Sequence, residues 1–372
     1  MKMDNAVVSE PPRTMPAEEC ERRIRKLVDA LRKRKLDGAV ITEGVSRLYY
    51  TGFESSAGTL LIDAAEGPVF VVDFRYILMA RKAMPFAKCV LQKSGTPSCV
   101  KQHTRKWRMA GYEARMSVSA FDRLKAQLGH IESWTAIDDT IAGQRAVKSK
   151  AEQTILRRAV AANDRLYAHV LSQIRPGMTE WEVRGLFRSG ADRVGQGESF
   201  DTIVCAGANG AECHHEPDLT PIPKRGPVLM DFGVLLDHYC SDMTRCISFG
   251  KPTDFYRKIY NLVLEANRKA IAKLRPGMTG EEVDAIARKH IRKAGYGDAF
   301  GHSLGHSVGM EIHEGPNFSP KEERVIKPGM VITVEPGIYL PGRLGVRIED
   351  VVLVTRNGCE CLSQSPRELL VL

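Results

Sequence analysis

The sequence predicts a two-domain protein of the α/β (α+β) class, and three features support this. The chain has 372 residues, enough for two domains. Up to about residue 145, short apolar strands alternate with amphipathic helices, as in α/β domains. In the remainder, a ten-residue segment recurs one hundred residues further along, which indicates a duplicated half-domain. We therefore expect one domain over residues 1–145 and a second over residues 146–372.

Composition excludes several classes of protein. Hydrophobic residues make up 43% and charged residues 27% of the chain, which is ordinary for a soluble globular protein. No apolar run approaches the roughly 20 residues of a membrane span, and residues 1–19 lack the apolar core of a secretory signal. The nine cysteines match no common zinc motif and are expected to be free thiols. Free thiols suit a reducing cytosol, so we expect a cytoplasmic protein without a membrane partner. The net charge of +9 is spread along the chain, so we expect no nucleic-acid partner.

The first domain shows strand and helix patterns but no cluster of ligands or nucleophiles. We therefore expect it to be structural, a dimerisation surface or a lid. An amphipathic helix is predicted from its apolar spacing, and two short strands are joined by an Ala-Glu-Gly turn. The predicted helices cover 18–36, 76–83 and 120–128, and the predicted strands cover 39–42, 59–62 and 69–72.

The second domain is predicted to contain two related halves. A charged linker over 145–152 leads into a long helix over about 151–174. The segments 174–183 and 274–283 share seven of ten residues, and each ends a helix at Arg-Pro-Gly. Thr179 and Thr279 then fit helix N-caps, with a glutamate three residues later completing a capping box. A pocket between two such halves is a natural place for a ligand.

Residues 229–245 read as two strands joined by a tight turn. With the turn centred between Leu236 and Asp237, Asp231 and Asp242 would lie directly opposite each other. Directly opposed like charges destabilise a strand pair, and a bound cation is the usual reason for such an arrangement. The alternative is that both acids lie on the solvated face of the hairpin.

Further polar residues follow in glycine-rich or apolar surroundings. His302 and His306 lie in a glycine-punctuated loop over 301–309, where the backbone can approach a ligand closely. Within 330–339, a predicted apolar strand ends on Glu335 before a Pro-Gly break. A predicted strand over 345–354 places Arg347 and Glu349 on one face. Taken singly, each acid can be a solvated strand end. Together, one imidazole and four carboxylates suit two of the harder divalent ions, such as Mn²⁺ or Co²⁺, with Zn²⁺ or Fe²⁺ as alternatives. The set is Asp231, Asp242, His306, Glu335 and Glu349.

These motifs resemble those of the pita-bread metallopeptidases, in the aminopeptidase P and prolidase branch, which cleaves Xaa-Pro bonds. The chain carries MDFG with a second aspartate eleven residues on, then GHSLGHSVGMEIHE, VEPGIY and GVRIED, in the order that the family has them. Residues 49–53 and 56–58 resemble a creatinase-type N-terminal domain. The resemblance covers nearly the whole chain and implies that this α/β domain precedes a pseudo-symmetric pita-bread catalytic domain. It also implies a homodimer.

The resemblance further assigns roles to single residues. Asp231 would hold one metal ion, Asp242 and Glu349 would bridge two ions, and His306 and Glu335 would complete the second site. The remaining matched positions are two catalytic histidines and the supporting or substrate-binding residues. These are His214, His313, His302, Arg347 and Tyr339.

The reaction that these roles imply is hydrolysis by a metal-bridging hydroxide. Two ions about 3.5–4 Å apart can share a water and lower its pKa to near 7. Glu335 could carry a proton to the leaving nitrogen, and Arg347 could orient Glu349.

Several alternatives remain within and beyond this activity. Because only eleven residues separate Tyr339 from Asp350, without an insertion, the sequence favours Xaa-Pro aminopeptidase over Xaa-Pro dipeptidase (prolidase) activity. Methionine aminopeptidase and creatinase fit the motifs less well. A non-catalytic domain that binds peptides or proteins is the alternative from another class, although such domains usually have eroded ligands.

Overall fold

The computed structural model describes residues 15–93 and 96–372. These residues form two compact units that meet in sequence between Arg145 and Ala146. No helix among the described residues is long and apolar enough to cross a membrane.

The first unit is built on a six-stranded mixed sheet. Its strands are β1 (Gly38–Ile41), β2 (Thr59–Asp63), β3 (Gly67–Val72), β4 (Lys88–Leu91), β5 (Met109–Tyr112) and β6 (Ser133–Ala136). Its helices are α1 (Ala17–Lys33), α2 (Gly44–Thr51), α3 (Ile77–Ala83), α4 (Thr96–Thr104), α5 (Val118–Gln127) and α6 (Asp138–Ala146). The strand order is β4-β3-β2-β1-β5-β6, so β1 lies inside the sheet and is buried along its whole length. The predicted pair of strands, now β2 and β3, is an antiparallel hairpin, whereas α1 ends three residues before the predicted end of its helix.

The second unit contains two pairs of α-helices and several small sheets. Its helices are α7 (Lys150–Gln173), α8 (Glu180–Val194), α9 (Asp254–Lys273) and α10 (Gly280–Lys293). Its first strands are β7 (Ile203–Ala206), β8 (Gly226–Phe232), β9 (Leu235–Leu236), β10 (Tyr239–Cys240) and β11 (Met243–Phe249). The later strands are β12 (Gly305–Ser307), β13 (Glu314–Phe318), β14 (Val331–Val334), β15 (Gly337–Leu340), β16 (Leu344–Arg347), β17 (Asp350–Val354), β18 (Cys359–Cys361) and β19 (Leu370–Val371). The sheets β19-β11-β8-β7 and β13-β12-β14-β17-β18 belong to the first and second halves, and β9-β10 and β15-β16 are two-stranded.

Each half buries a helix pair against its own strands. In the first half, α7 and α8 pack on β7 and β8, and the rings of Phe187 and Phe232 stack with centroids 4.3 Å apart. In the second half, α9 and α10 pack over the strands that follow them, and Tyr260, Val283 and Leu304 are fully buried there. The metal-ligand candidates therefore project from strands and loops that two apolar cores hold in place.

The repeated segment has the same local structure in both copies, which confirms the predicted capping boxes. The amide of Glu182 donates to Thr179 Oγ1 at 3.1 Å, and the amide of Thr179 donates to Glu182 Oε2 at 2.7 Å. In the second copy, the corresponding distances between Thr279 and Glu282 are 3.2 and 2.9 Å. In both copies, the amide of the Pro-Gly glycine also donates to a later isoleucine carbonyl at 2.9 Å.

The charged linker predicted over 145–152 is shorter in the structure. Helix α6 extends to Ala146 and α7 begins at Lys150, which leaves three residues between them. Ser149 caps α7 by accepting from the amide of Glu152, whose side chain accepts from the amide of Ser149 in return. The charged residues that suggested a linker thus start a helix.

The predicted register of the central hairpin is wrong by two residues. Asp231 pairs with Thr244 rather than with Asp242, because the turn is centred between Asp237 and His238. Both turn residues have positive φ, 49° and 65°, as the central residues of a type I′ turn do. A shift of two residues keeps side chains on the same face, so Asp231 and Asp242 still share a face as diagonal neighbours.

The predicted strand over 345–354 is two strands in different sheets. Strand β16 pairs with β15, and β17 pairs with β14. The chain breaks at Ile348 and Glu349, whose amides donate to Pro336 O at 3.4 Å and to Thr244 O at 3.1 Å. Glu349 therefore lies between two sheets.

Candidate metal centre

A cavity of about 680 Å³ in the second unit gathers almost all the predicted site residues. Volumes of this size are typical of small-molecule sites. Tyr339 does not line the cavity, but its hydroxyl is hydrogen-bonded to two residues that do. The predicted residues in the lining are Asp231, Asp242, His306, Glu335, Glu349, His214, His313, His302 and Arg347.

One imidazole and several carboxylates converge in this cavity. Asp242, His306 and Glu349 each place a potential ligand atom within 4.8 Å of the other two. His306 Nε2 lies 3.4 Å from Asp242 Oδ2 and 3.4 Å from Glu335 Oε1. Its Nδ1 lies 3.2 Å from the carbonyl oxygen of Ser307, to which it can donate. That bond favours the tautomer in which Nε2 presents a lone pair to a metal ion.

Two buried carboxylate oxygens indicate that a cation fits this site. Asp231 Oδ2 accepts from Arg347 Nη2 at 2.5 Å, and Glu349 Oε2 accepts from Thr244 Oγ1 at 2.8 Å. Their other oxygens, Asp231 Oδ1 and Glu349 Oε1, are buried and accept no hydrogen bond from any described residue. Leaving a charged acceptor buried without a partner is costly, and a divalent ion would satisfy both. Each carboxylate is thus fixed through one oxygen and offers the other.

The electrostatics of the cluster also suit a cation. Burial, with the charges of Asp231 and Glu335, raises the pKa of Asp242 to about 7 against the opposing effect of His306. Burial also raises the pKa of Glu335, and burial with the charge of Asp242 raises that of Glu349. Burial disfavours the charged form of His306, but Asp242 and Glu335 outweigh it and raise its pKa to about 9. Bound divalent ions would offset this crowding of negative charge and favour the ionised carboxylates.

Arg347 connects four elements beneath the cluster. Its side chain is 5% exposed and pairs directly with Asp231 on β8. Its Nε donates to Thr244 Oγ1 at 2.9 Å, and its Nη1 donates to the hydroxyl of Tyr339 at 2.7 Å. Because Thr244 in turn donates to Glu349, Arg347 reaches that carboxylate through the threonine. The sequence analysis expected Arg347 to orient Glu349 and did not include its contact with Asp231.

The three other histidines of the cavity differ in surroundings. Burial and the charge of Arg347 lower the pKa of His302 to about 4, so its ring is neutral near pH 7. Its Nδ1 lies 2.8 Å from Ser303 O and its Nε2 lies 3.0 Å from the Tyr339 hydroxyl, which completes a chain of donors from Arg347. Burial and the charges of His306 and His214 lower the pKa of His313, whose ring lies 4.5 Å from that of His306. His214 and His313 are exposed to solvent, whereas His302 is partly buried.

Comparison with protein families identifies the chain. The model of metallopeptidase family M24 matches residues 154–356, and the creatinase/prolidase N-terminal domain matches residues 23–147. The chain belongs to metallopeptidase family M24. These two matches confirm the predicted fold class, a creatinase-type domain followed by a pita-bread metallopeptidase domain, and they make the protein a hydrolase.

Relatives match this M24 metallopeptidase over nearly its whole length. The Xaa-Pro dipeptidase of Pyrococcus furiosus is 35% identical over 354 residues, which cover 94% of this chain and 99% of the relative. The structure of an Xaa-Pro dipeptidase from Bacillus anthracis matches with a TM-score of 0.91 at 35% identity, covering 95% of this chain and 100% of that one. An X-Pro aminopeptidase structure from Thermotoga maritima matches with a TM-score of 0.88 at 33% identity, covering 94% and 100%. The chain is thus similar to enzymes of both names.

Two threonines of the M24 site were missed by the sequence analysis. Thr244 links Arg347 to Glu349, and Thr333 donates to Glu335 Oε1 at 3.0 Å while accepting from the amide of His306 at 3.0 Å. Each threonine lies two residues from a predicted ligand, which places it on the same face of an extended strand. This two-residue spacing from a predicted ligand is the sequence signal that could have identified both threonines.

Proposed function

We propose that the protein is a dinuclear-metal Xaa-Pro dipeptidase, which hydrolyses dipeptides with proline in the second position. The observation that carries this proposal is the pair of buried, unpartnered oxygens of Asp231 and Glu349 within a cavity of substrate size. Two relatives that cover nearly the whole chain are named Xaa-Pro dipeptidases. The comparisons thus support the dipeptidase alternative better than the aminopeptidase activity that the sequence analysis preferred.

The five predicted ligands are proposed to hold two divalent ions. The donor set contains one imidazole nitrogen and otherwise carboxylate oxygens, which suits Mn²⁺ first and Co²⁺, Zn²⁺ or Fe²⁺ as alternatives. When bound, such ions supply a water of lowered pKa and polarise the scissile carbonyl. The ligands are Asp231, Asp242, His306, Glu335 and Glu349.

Protein groups around the ions are proposed to bind the substrate and move its protons. His214 and His313 line the cavity beside the cluster, where a ring N–H can stabilise charge on the carbonyl oxygen. Glu335 is proposed to pass a proton to the proline nitrogen, which must leave as an amine. His302, held neutral by burial, is proposed to support Tyr339 and Arg347.

The cavity wall also supports a small apolar substrate. Phe200, Ile203 and Ile312 line the same cavity as the carboxylates. An apolar wall of this kind fits a proline ring or an apolar residue before it.

One feature of the wall favours Xaa-Pro aminopeptidase activity as a second candidate. Among the described residues that line the cavity, Arg347 is the only arginine or lysine, and it is already paired with Asp231. The free carboxylate of a dipeptide would therefore be met by histidine N–H groups. A longer peptide, which has an amide at that position, makes no such demand.

Hydrolysis of three matched substrates tests the proposal. With Mn²⁺, we expect an Xaa-Pro dipeptide to be cleaved faster than its carboxamide and than an Xaa-Pro-Xaa tripeptide, and a chelator should abolish cleavage. Faster cleavage of the tripeptide and the carboxamide would instead establish aminopeptidase activity. If none of the three is cleaved with Mn²⁺, Co²⁺, Zn²⁺ or Fe²⁺, the protein is not an Xaa-Pro peptidase and a binding function gains support.

A further inference from the structure

Glu180, at the start of α8, is a fully buried carboxylate that does not line the cavity. Its Oε1 accepts from the amide of Ala206 at 2.6 Å and from Asn209 Nδ2 at 2.9 Å. Its Oε2 accepts from His215 Nε2 at 2.8 Å and from the amide of Asp218 at 3.1 Å. All four donors belong to residues 206–218, the segment that carries His214. One carboxylate thus holds both ends and the middle of this segment.

His215 lies between two carboxylates, one on α8 and one in the segment itself. Its Nδ1 lies 2.9 Å from Glu212 Oε2, so both ring nitrogens face carboxylates. Burial opposes the charged ring, but Glu212 and Glu180 outweigh it and raise the pKa of His215. Asp218, Glu180 and His215 also place potential ligand atoms within 4.8 Å of one another. His215 is buried, whereas His214 is exposed and lines the cavity, so the adjacent rings lie in different environments.

The other side of the segment is held against β16. A side-chain carbon on Gly345 would overlap the carbonyl oxygen of Gly210, so the two backbones touch. Arg347 Nη1 also donates to Cys213 O at 3.3 Å. Because β16 ends in Arg347, which pairs with Asp231, the segment lies between the carboxylate of α8 and the floor of the metal centre.

The duplicated frame shows that α8 itself does not need this carboxylate. The position equivalent to Glu180 in the second copy is Gly280, and its helix begins with the same capping box. A side-chain carbon on Gly280 would overlap the carbonyl oxygen of Asn317, so backbone occupies that place. The carboxylate is therefore found only in the half whose following segment carries His214.

We propose that Glu180 and His215 are positioning residues that hold His214 in place beside the substrate carbonyl. This inference rests on the proposed function, in which His214 stabilises the developing oxyanion. Glu180 and His215 touch neither the substrate cavity nor the metal-ligand candidates, so their effect on turnover would act through His214. A displacement of about 1 Å in such a group can cost roughly 100-fold in rate.

A double-mutant cycle tests the proposal in the full-length, metal-loaded protein. Glu180→Gln keeps the shape of the side chain but removes its charge. His215→Gln keeps one donor but removes the ring that contacts both Glu180 and Glu212. We expect each change to lower kcat by about 10- to 100-fold with little change in KM and unchanged metal content. In a His214→Ala background, neither change should lower kcat further, because the group that they position is gone.

The control is Glu182→Gln, on the same helix two residues away, which retains an acceptor for the capping box and should leave kcat unchanged. Multiplicative losses in the His214→Ala background would refute the positioning role while leaving the role of His214 intact. Wild-type kcat in His214→Ala itself would refute both that role and the positioning proposal. If Glu180→Gln folds poorly, His215→Gln can be compared alone, with and without His214→Ala.

Discussion

Replacing Arg347 with methionine should strongly destabilise the second unit when no metal is bound. The guanidinium donates to Asp231 at 2.5 Å, to Tyr339 at 2.7 Å and to Thr244 at 2.9 Å, and it is almost fully buried. Methionine fills a similar volume but offers no donor. The substitution would therefore remove the hydrogen bond that Asp231 Oδ2 accepts from Arg347, while Asp231 Oδ1 already accepts none.

The size of the effect follows from this buried pair. Removing one partner of a buried ion pair costs about 3–5 kcal/mol. In a unit that spans residues 146–372, a loss of 1 kcal/mol lowers Tm by roughly 2–4 °C. The Tm of the second unit should thus fall by roughly 6–20 °C in the presence of a chelator. With saturating Mn²⁺ the loss should be smaller, since a bound cation would still partner Asp231.

Differential scanning calorimetry is the appropriate assay, because the two units can unfold in separate transitions. Arg343→Met is the matched control, since Arg343 is exposed on the same hairpin and its guanidinium lies over the Phe255 ring, 4.2 Å from the centroid, as a cation–π pair. That contact contributes about 1 kcal/mol or less, so the control should change Tm by no more than roughly 4 °C. If Arg347→Met matched this control with a chelator, or if Mn²⁺ widened the difference from wild type, the argument that Arg347 neutralises a metal-site carboxylate would be wrong.

Three further predictions concern the ligands, the pH dependence and the backbone contacts of the site. Asp242→Asn should lower kcat by at least about 100-fold and reduce the metal content measured by mass spectrometry. Its circular dichroism spectrum should match that of the wild type. Hydrolysis by this variant at the wild-type rate would exclude the two-metal assignment. Because the pKa of His302 falls from 6.5 to about 4 on folding, the metal-free protein should lose about 3 kcal/mol of stability as pH drops through that range. Urea titrations of His302→Gln should lack this part of the slope, and an identical slope in the variant would contradict the assignment. Gly345→Ala should lower Tm by several degrees and impair turnover, because its new carbon would collide with Gly210 O. The control Gly185→Ala, at an open position in α8, should instead stabilise the protein by roughly 0.5–1 kcal/mol. Equal effects of the two substitutions on Tm would show that the collision does not occur.

The central hairpin shows what a sequence pattern can and cannot predict. Alternation correctly places Asp231 and Asp242 on one face, because side-chain direction has a period of two. The register depends on the turn, and Asp237-His238 is not among the Asn-Gly or Asp-Gly pairs that usually mark a type I′ turn. The positive φ values of both residues are held by surrounding structure, including an ion pair between Asp237 and Arg158 on α7. This long-range contact could not be inferred from the hairpin sequence.

Glu349 illustrates a second limit. The apolar run over 345–354 has the composition of one strand, and no local signal separates β16 from β17. The break depends on amides that bond to Pro336 and Thr244, which are distant in sequence. The identity of the candidate ligand was therefore predictable from the motif, whereas its position between two sheets depends on tertiary pairing.

The first unit was less predictable because several of its strands have weak patterns. Strand β6 has the sequence Ser-Trp-Thr-Ala, and none of its residues is fully buried. Strand β4 begins with an exposed lysine and is otherwise only partly buried. Edge strands of this kind lack the alternation or apolar run that identifies strands in a sequence. Only the inner strands β1, β2 and β3 carried a clear signal, and these were predicted.

The two halves of the second unit support their histidine loops by different means, although their frames are alike. In the second half the buried carboxylate of Asp284 on α10 accepts from the amide of Leu304 at 3.1 Å and binds Arg288. Arg288 in turn donates to the carbonyl oxygens of Phe300 and His302, both at 2.8 Å. In the first half, Glu180 accepts directly from the segment that carries His214. Both halves thus use an acid on their second helix to hold a loop with a site histidine, but at positions four residues apart in the repeat. The capping boxes are formed by residues three apart and occur in both halves, which is why the sequence reveals them. The loop contacts depend on which backbone lies opposite each helix, so they differ between the halves and could not be inferred from the repeated segment.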